Sequence, residues 1–340
     1  MYMISTLLDG IHFSKTLTYR RVNNGWQNYR SFKKAIRSTS PLHPGLPVSL
    51  SIEPTTSCNL RCPECPSGLR SFSRPTGMME LKLFKTIIKE IYESLSYLIL
   101  YFQGEPYLNP AFLKVVRYAN DLNIYTATST NAHFLTKDNA RETVKSGLSR
   151  IIVSMDGTDQ ESYEKYRIGG SLEKVIQGIN NLVEAKKQLR INSPYIILQF
   201  LVFKHNMHQI PEIKRIAKTL GVDKLELKTA QVYNYEKGSD LIPDENKFSR
   251  YLQNGNNNYK IKNDLLNKCW KTWHSCVMTW DGNIVPCCFD KDAKHTMGNI
   301  QEQSFSKIWN GEKYRNFRSR LFTGRKEIDI CKNCTEGLKV

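Results

Sequence analysis

The feature that most constrains this chain is a cysteine cluster between Ile52 and Pro66, where the sequence runs IEPTTSCNLRCPECP. Cys58, Cys62 and Cys65 follow a CxxxCxxC spacing, directly after a short β-type run that begins at Val48. The turns between these cysteines can bring three thiolates onto one side of a small metal cluster. A cubane of four irons held by three cysteines leaves one iron free for a substrate or cofactor. The spacing therefore predicts an iron–sulfur cluster with an open coordination position.

A zinc site or a group of buried free thiols is the alternative for the same three cysteines. Zinc sites usually combine one CxxC pair with a second pair or with histidines. No histidine lies between His43 and His133 in the sequence, so this stretch favours iron.

The segment Cys58-Asn-Leu-Arg-Cys62-Pro-Glu-Cys65 resembles the cluster loop of radical S-adenosylmethionine (radical SAM) enzymes. The resemblance implies a 4Fe–4S cluster whose open iron chelates the amino and carboxylate groups of S-adenosylmethionine (SAM). One electron then cleaves the sulfonium of SAM and releases a 5′-deoxyadenosyl radical. It also implies an electron donor such as flavodoxin or ferredoxin. In the family an aromatic residue often precedes the third cysteine, whereas here the residue is Glu64.

The composition describes a globular chain long enough for two domains. Apolar residues make up 40% of the 340 residues, and the mean hydropathy is −0.47. No apolar run approaches the ~20 residues that a membrane helix needs, and the first fifteen residues lack the features of a secretory signal. The cysteines are grouped as in metal sites and not as in a disulfide framework. We therefore predict a cytoplasmic protein without a membrane partner.

The net charge of +17 favours an anionic partner by itself. The basic residues are scattered along the chain, however, except in residues 1–48. That segment contains seven basic residues and only one acidic residue, Asp9. A solvated basic helix is the favoured interpretation of that segment, and a docking arm for an acidic partner is the alternative. No appended RNA-binding motif is present, so a nucleic-acid partner is not expected.

Strand-like and helix-like segments alternate six times along the middle of the chain. The predicted strands are Val48–Ile52, Tyr97–Phe102, Ile124–Thr128, Arg150–Ser154, Tyr195–Phe203 and Lys224–Lys228. The predicted helices are Leu81–Leu95, Ala111–Leu122, a third from near Thr136 to before Gly147, Leu172–Leu189, and a fifth from Pro211 to Gly221. This order implies parallel strands joined by right-handed crossovers. Six units suit a partial, open (β/α)6 barrel, which the radical SAM resemblance also implies.

The second strand is followed by Gln103-Gly104-Glu105-Pro106. A glycine lets the backbone approach a ligand closely, and a carboxylate suits an ammonium group. The segment resembles the GGEP motif of the family, with glutamine in place of the first glycine. The resemblance implies that Gly104, Glu105 and Pro106 bind the cofactor at its methionine amino group. An ordinary turn at the end of a strand is the alternative.

After the fourth strand, Ser154-Met-Asp156-Gly resembles the SxDG segment of radical SAM enzymes with cysteine-rich extensions. The resemblance implies that Ser154 and Asp156 bind the ribose hydroxyls of SAM, and that Arg167 reaches its carboxylate. A surface helix arginine is the alternative for Arg167. Turn capping is the favoured role for Ser129-Thr130-Asn131, which follows the third strand.

The last part of the chain carries a second group of cysteines after a polar segment, Gly238–Lys262, that we predict to be a loop or linker. These cysteines are Cys269, Cys276, Cys287, Cys288, Cys331 and Cys334. Trp280-Asp281-Gly282-Asn283 lies between two apolar pairs, which is typical of a β-hairpin with an Asp-Gly turn. A hairpin with cysteines near both strand ends, together with the distal CxxC pair, can bring four thiolates to one metal.

This arrangement resembles the SPASM/twitch extension of radical SAM enzymes, and it implies an auxiliary 4Fe–4S cluster. The implied ligands are Cys269, Cys287, Cys331 and Cys334. Only six residues follow Cys334, which favours the shorter twitch form with one auxiliary cluster. Cys276 and Cys288 are surplus, and each is a rival for one of the four positions. A structural zinc ribbon is the alternative for the whole module.

The sequence as a whole predicts an α/β radical SAM barrel followed by a small hairpin-containing twitch (SPASM-like) iron–sulfur domain. The predicted boundaries are 1–47 for a basic extension, 48–237 for the barrel, 238–265 for a linker and 266–340 for the auxiliary domain.

The predicted reaction is hydrogen abstraction from a peptide or protein, or oxidation of a small-molecule alcohol, with the auxiliary cluster binding substrate or accepting an electron. Some relatives oxidise a serine or cysteine of sulfatases to formylglycine. In them an aspartate that serves as base directly follows the cysteine of a Gx4C element, which here runs from Gly282 to Cys287. Cys288 occupies that position here, so that activity is not expected, and no catalytic base is identified. A zinc-stabilised nucleic-acid-binding protein is the alternative function.

Overall fold

One nine-stranded sheet organises the fold. The structure is a computed structural model that describes residues 2–39, 41–255 and 258–336. The strands of these residues are β1 (Ser49–Ile52), β2 (Tyr97–Ile99), β3 (Tyr125–Thr130), β4 (Arg150–Ser154), β5 (Tyr195–Val202), β6 (Lys224–Thr229), β7 (Tyr251–Gln253), β8 (Tyr259–Ile261), β9 (Ser275–Met278), β10 (Asn283–Val285) and β11 (Gly298–Asn299). The sheet order is β11-β10-β9-β1-β2-β3-β4-β5-β6, and β1 to β6 are parallel. These six strands therefore end at the same edge, where active sites of such barrels lie.

Helices follow the barrel strands as the alternation predicts. The helices of the described residues are α1 (Tyr2–Lys15), α2 (Tyr19–Ser38), α3 (Pro66–Leu69), α4 (Leu81–Ile91), α5 (Phe112–Asp121), α6 (Lys137–Lys145), α7 (Gln160–Glu164), α8 (Leu172–Leu189), α9 (Ile210–Leu220), α10 (Lys271–His274), α11 (Phe305–Trp309) and α12 (Glu312–Gly324). β4 and α8 have the predicted bounds. α8 begins where the Ser171 side chain accepts a hydrogen bond from the Lys174 amide, at 3.3 Å. The predicted α/β fold with a mostly parallel sheet is confirmed.

The core of the barrel lies between the sheet and its covering helices. On α4, Phe84, Ile87, Ile88 and Ile91 are all buried, at the spacing of one helix face. The helix ends at Ile91, four residues before the predicted end. The chain must turn there because the Ser96 amide already bonds to the Val48 carbonyl at 2.9 Å, which starts the pairing with β1.

The C-terminal hairpin continues the barrel sheet. The prediction of a hairpin around Asp281 and Gly282 is confirmed, because β9 and β10 pair antiparallel and Gly282 has a φ of +88°. The sequence did not indicate where this hairpin attaches. β9 runs parallel to β1, with Ser49 opposite Ser275 and Ile52 opposite Met278. The C-terminal segment is thereby fixed next to the strand that leads into the first cysteine loop.

The segment predicted as a linker contains a second, two-stranded hairpin, β7–β8. Tyr251 is buried and stacks on Tyr235 at 4.5 Å between ring centroids. Its hydroxyl donates to the Val232 carbonyl at 3.0 Å and accepts from the Val232 amide at 2.8 Å. The segment is therefore partly packed structure, although it is polar in sequence. Residues 256 and 257 of its asparagine-rich stretch lie outside the described residues, and the domain boundaries remain a prediction.

The N-terminal extension is helical and packs against the amino ends of the barrel strands. Asp9 of α1 pairs with Arg150 and accepts a hydrogen bond from the Tyr125 hydroxyl. Arg150 and Tyr125 are the first residues of β4 and β3. Arg21 of α2 is buried and donates to the carbonyls of Thr16, at 2.6 Å, and of two residues that precede β2 and β3, Tyr92 and Leu122. The two helices therefore cover the end of the barrel opposite the cysteine loop.

No helix within residues 2–39, 41–255 and 258–336 is sufficiently long and apolar to cross a bilayer.

Candidate active site

The first cysteine loop starts at the carboxyl end of β1. Cys62 is buried, while Cys58 and Cys65 are partly exposed, and all three pack around the same small apolar cluster. The Leu60 amide donates to the Cys58 sulfur at 3.4 Å, and the Cys65 amide donates to the Cys62 carbonyl at 3.3 Å. These local bonds fold the loop back on itself, so the three thiols of the predicted cluster motif come together.

Two glycines allow this loop to pack closely. A Cβ atom on Gly68 would lie 2.5 Å from the Cys62 amide nitrogen. Gly104 has a φ of +72°, and a Cβ atom there would lie 2.3 Å from the Thr55 carbonyl oxygen. The Glu105 amide donates to the Ser57 carbonyl at 2.8 Å. The end of β2 is thereby bonded to the chain that leads into the loop, which only glycine permits at position 104.

Glu105 is buried at the centre of a hydrogen-bond network. Its carboxylate accepts bonds from the Thr130 hydroxyl at 2.7 Å, the Asn131 amide at 2.8 Å and the Tyr107 amide at 3.3 Å. Burial raises the pKa of Glu105 to about 7, although these hydrogen bonds act in the opposite direction. The donors fix the orientation of the carboxylate, which suits a residue that binds a cationic ligand group.

Asp156 and Arg167 form an ion pair beside the cysteine loop. Arg167 Nε donates to Asp156 Oδ2 at 2.6 Å, and Asp156 Oδ1 accepts from the Leu201 amide at 2.7 Å. Arg167 Nη1 lies 3.8 Å from the Cys62 sulfur. Burial raises the pKa of Cys62, and the charge of Arg167 partly offsets this effect. Ser154 lies buried at the end of β4.

Each sulfur of the first loop has a polar side chain from a different part of the barrel edge next to it. Asn131 Nδ2 lies 4.0 Å from Cys58 Sγ, and Gln103 Oε1 lies 4.0 Å from Cys65 Sγ. The polar neighbour of Cys62 is Arg167, whose Nη1 lies 3.8 Å from Cys62 Sγ. Apart from their positions after β3 and β2, nothing in the sequence marks Asn131 and Gln103 as neighbours of the sulfurs.

Five of the six C-terminal cysteines lie in two groups. Cys269, Cys331 and Cys334 are buried around Arg325, whose Nη2 lies 3.5 Å from Cys334 Sγ. Burial, and then the proximity of Cys334 and Cys269, raises the pKa of Cys331 to about 12. Arg325 is itself anchored to the Lys268 carbonyl at 2.9 Å. Three of the four predicted auxiliary ligands therefore lie together.

Cys287, the fourth predicted auxiliary ligand, lies next to Cys288. A hydrogen bond joins their thiols, and it raises the pKa of Cys287 and lowers that of Cys288, which the Lys271 ammonium lowers further. Cys276 faces Tyr314 and Arg318 inside the core. The choice between Cys287 and Cys288 as fourth ligand stays open, and the surroundings of Cys276 do not favour it.

The donor sets are of the type that iron–sulfur clusters use. All predicted ligands are thiols. Within residues 2–39, 41–255 and 258–336, no three His, Cys, Asp or Glu side chains are grouped closely enough to hold one metal ion.

A cavity of about 530 Å³ lies beside Cys287 and Cys288 and extends to Gln103. Gln103, the neighbour of Cys65, lines one part of it, and Cys287 and Cys288 line another. Side chains of β1, β2, β5 and β6 form the wall on the barrel side. The cavity is therefore placed where a substrate could reach both predicted metal sites.

Two family models match the chain. The model of the radical SAM superfamily matches residues 52–217, and the SPASM model, described as an iron-sulfur cluster-binding domain, matches residues 269–335. The chain belongs to the radical SAM superfamily. It is an enzyme of SAM-dependent radical chemistry, and the predicted cofactors SAM, a 4Fe–4S cluster and an auxiliary iron–sulfur cluster are confirmed by these domains. The nucleic-acid-binding alternative finds no support.

Individual relatives agree with this assignment. A tungsten-containing aldehyde ferredoxin oxidoreductase cofactor-modifying protein of Pyrococcus furiosus is 29% identical over 318 residues, covering 84% of this chain and 86% of the relative. Among solved structures, SuiB of Streptococcus suis bound to precursor peptide SuiA matches with a TM-score of 0.61 and 16% identity, over 91% of this chain and 75% of that one. BtrN in complex with AdoMet and 2-DOIA matches with a TM-score of 0.52 and 19% identity, over 86% and 94%. These structures support the fold.

Proposed function

We propose that this radical SAM enzyme abstracts a hydrogen atom from a peptide or protein substrate. The observation that carries the proposal is the arrangement around Cys58, Cys62 and Cys65, where the barrel edge supplies one polar neighbour to each sulfur. The adjoining cavity of about 530 Å³ gives a substrate access to this edge. The cysteine loop, its polar neighbours and the cavity together form a site for a cluster, for SAM and for a substrate.

Each side chain of the site has a proposed task. Cys58, Cys62 and Cys65 would hold the cluster, which when bound supplies the electron that splits SAM into methionine and a 5′-deoxyadenosyl radical. Glu105, held by three donors, would accept a hydrogen bond from the amino group of the methionine moiety, with Gly104 and Pro106 shaping the turn. Arg167 would bind the carboxylate of that moiety.

Asp156 would position Arg167. Both oxygens of its carboxylate already accept hydrogen bonds, one from Arg167 and the other from the Leu201 amide. Ser154, at the end of the same strand, is the better placed of the two for a ribose hydroxyl of SAM.

A peptide substrate is supported by the structural similarity to SuiB, a protein crystallised with its precursor peptide. Oxidation of a small-molecule alcohol is the second candidate. A small-molecule substrate is supported by the match to BtrN, which was crystallised in complex with AdoMet and 2-DOIA and of which this chain covers 94%. The described residues contain a large cavity but show no separate unit that is devoted to peptide binding, so the two candidates need an experiment.

The cellular setting forms part of the proposal. All nine cysteines are free thiols, which supports a reducing compartment such as the cytoplasm. A small electron donor such as flavodoxin or ferredoxin would reduce the cluster there.

Deuterium transfer tests the substrate class. Reconstituted, dithionite-reduced enzyme receives SAM with either a peptide fraction or a small-molecule fraction from cells grown in D₂O. Abstraction moves deuterium from the substrate carbon to the 5′-carbon, so mass spectrometry of 5′-deoxyadenosine identifies the active fraction. Deuterium from the peptide fraction alone supports the proposal. Deuterium from the small-molecule fraction alone contradicts it and favours the second candidate.

A further inference from the structure

The cavity beside Cys287 and Cys288 carries more basic than acidic side chains in its lining. Its charged lining residues are Lys228, Arg250, Lys271, Lys291 and Glu336. Four of these five side chains are basic. A cavity with this imbalance is electrostatically suited to an anion and repels a cation.

Two of the four cations already have partners. Lys271 donates a hydrogen bond to the Cys288 sulfur, and its positive charge lowers the pKa of that thiol. Lys228 pairs at 3.3 Å with Glu226 of the same strand, β6. The remaining two cations, Arg250 and Lys291, take part in no ion pair with a carboxylate in the part of the chain that the structure describes.

Both free cations are held in place by neutral groups. Arg250 Nε donates to the carbonyl oxygen of Thr229 at 3.1 Å and to its hydroxyl at 3.2 Å. These bonds occupy Nε and leave the two terminal nitrogens of the guanidinium for a ligand. The Lys291 ammonium donates to the Tyr233 hydroxyl at 2.6 Å and to Gln231 Oε1 at 3.3 Å. Neutral partners orient these cations without cancelling their charge.

The two cations are also partly buried and close enough to influence each other electrostatically. Glu64 and the thiols of Cys65 and Cys288 offset part of the charge of Lys291, but no carboxylate of the described residues lies within ion-pair distance of it. Partly buried like charges that are only partly balanced are unfavourable. A ligand that carries negative charge would relieve this repulsion. The guanidinium fork of arginine matches the two oxygens of a carboxylate or a phosphate.

We propose that the substrate carries a carboxylate or phosphate group, and that Arg250 and Lys291 bind this group inside the cavity. The inference rests on the proposed function, since it takes this cavity as the place where the substrate binds. It narrows the substrate class of that function. An acidic side chain of a peptide or an acidic small molecule fits, whereas a polycationic amino sugar does not.

Calorimetric titration of the anaerobic holoenzyme, with both clusters and SAM bound, tests the inference at low salt. The probes are glutarate for a carboxylate, inorganic phosphate for a phosphate, and glutaramide as the neutral isostere of glutarate. We expect saturable binding of glutarate or phosphate and at least tenfold weaker binding of glutaramide. The tighter of the two anions identifies the source of the negative group.

Variants separate this site from general charge effects. Arg250→Gln and Lys291→Gln should each weaken anion binding at least tenfold, while Lys214→Gln, an exposed lysine on α9, should leave it unchanged. Arg250→Lys, which keeps the charge, should retain part of the affinity if Arg250→Gln fails to fold. Equal anion binding in wild type and both cavity variants would overturn the inference, as would the absence of anion binding in the wild type.

A parallel assay of 5′-deoxyadenosine on the wild type keeps the two proposals apart. Wild type that cleaves SAM but binds neither anion contradicts this inference alone. Wild type that binds an anion through Arg250 and Lys291 but never cleaves SAM contradicts the proposed function alone.

Discussion

Arg167 connects Asp156 to Cys62: its Nε donates to Asp156 Oδ2 at 2.6 Å, while its Nη1 lies 3.8 Å from the Cys62 sulfur. The carboxylate is fully buried and receives a second bond from the Leu201 amide. One side of the guanidinium is therefore fixed by the barrel, and the other side faces the cysteine loop. This geometry makes the position of Arg167 depend on Asp156.

Replacing Asp156 with Asn should reduce the rate of SAM cleavage. The substitution keeps the shape but removes the charge that holds Arg167, and a hydrogen bond to a charged group contributes about 1.5–3 kcal/mol. We expect kcat/KM for SAM to fall about tenfold to a hundredfold, mainly through a higher KM. The rate of 5′-deoxyadenosine formation over a range of SAM concentrations measures this effect. Asp138→Asn, on the exposed first turn of α6, should leave both constants unchanged.

The affinity for SAM should increase with pH through the titration of Glu105. Burial raises its pKa to about 7, so the carboxyl is mostly protonated below that pH and mostly ionised above it. The ionised carboxylate is a stronger hydrogen-bond acceptor for the amino group of the methionine moiety than the protonated carboxyl is. The dissociation constant of SAM should therefore decrease between about pH 6 and pH 8. Binding that is independent of pH in wild type, or still pH-dependent in Glu105→Gln, would contradict the assigned role.

Gly104→Ala should destabilise the first cysteine loop, and Gly169→Ala provides the matched control. Both glycines have positive φ, of +72° and +78°, but only a Cβ on Gly104 meets another atom, the Thr55 carbonyl oxygen at 2.3 Å. The left-handed conformation costs both variants a similar amount, so their difference isolates the close contact. We expect Gly104→Ala to lose about 1–3 kcal/mol more in free energy of unfolding, together with iron from the first site. Equal losses in urea unfolding would show that the contact is unimportant.

Iron content should distinguish the cysteines of the auxiliary site. Wild type with two 4Fe–4S clusters should contain about eight irons per chain. Cys287→Ala should lose about four of them, because it removes a predicted ligand, whereas Cys276→Ala should keep all eight, since Cys276 faces Tyr314 and Arg318. Cys288→Ala tests which of the two neighbouring cysteines is the fourth ligand. A variant that keeps about eight irons per chain supports Cys287 as the ligand, and a loss of about four irons assigns that role to Cys288.

Local sequence patterns predicted most helices and strands of the barrel, because the pattern within one segment is sufficient to indicate whether that segment is a helix or a strand. The bounds of α8 followed from its apolar periodicity, and the structure adds the Ser171 cap. The pairing of β9 with β1 could not be predicted in the same way. Ser275 and Ser49 are opposite each other in the sheet, yet no local signal links two short strands so far apart in sequence.

In the site, too, a motif within one loop could be predicted from the sequence, whereas contacts between different loops could not. The spacing of Cys58, Cys62 and Cys65 was visible in the sequence, since it depends on one loop only. The contacts of Asn131 and Gln103 with those sulfurs depend on how three loops fold over one edge. The free charges of Arg250 and Lys291 were equally hidden, because a missing ion-pair partner can be recognised only in three dimensions.

The central claim is that Cys58, Cys62 and Cys65 hold the cluster that cleaves SAM. The most direct test reconstitutes the protein anaerobically, reduces it with dithionite, adds SAM and measures 5′-deoxyadenosine by chromatography, with the triple alanine variant of these cysteines as control. We predict that wild type forms 5′-deoxyadenosine and that the variant forms none while keeping the iron of the auxiliary site. Equal product from the variant, or a wild type that takes up zinc and refuses iron, would contradict the claim.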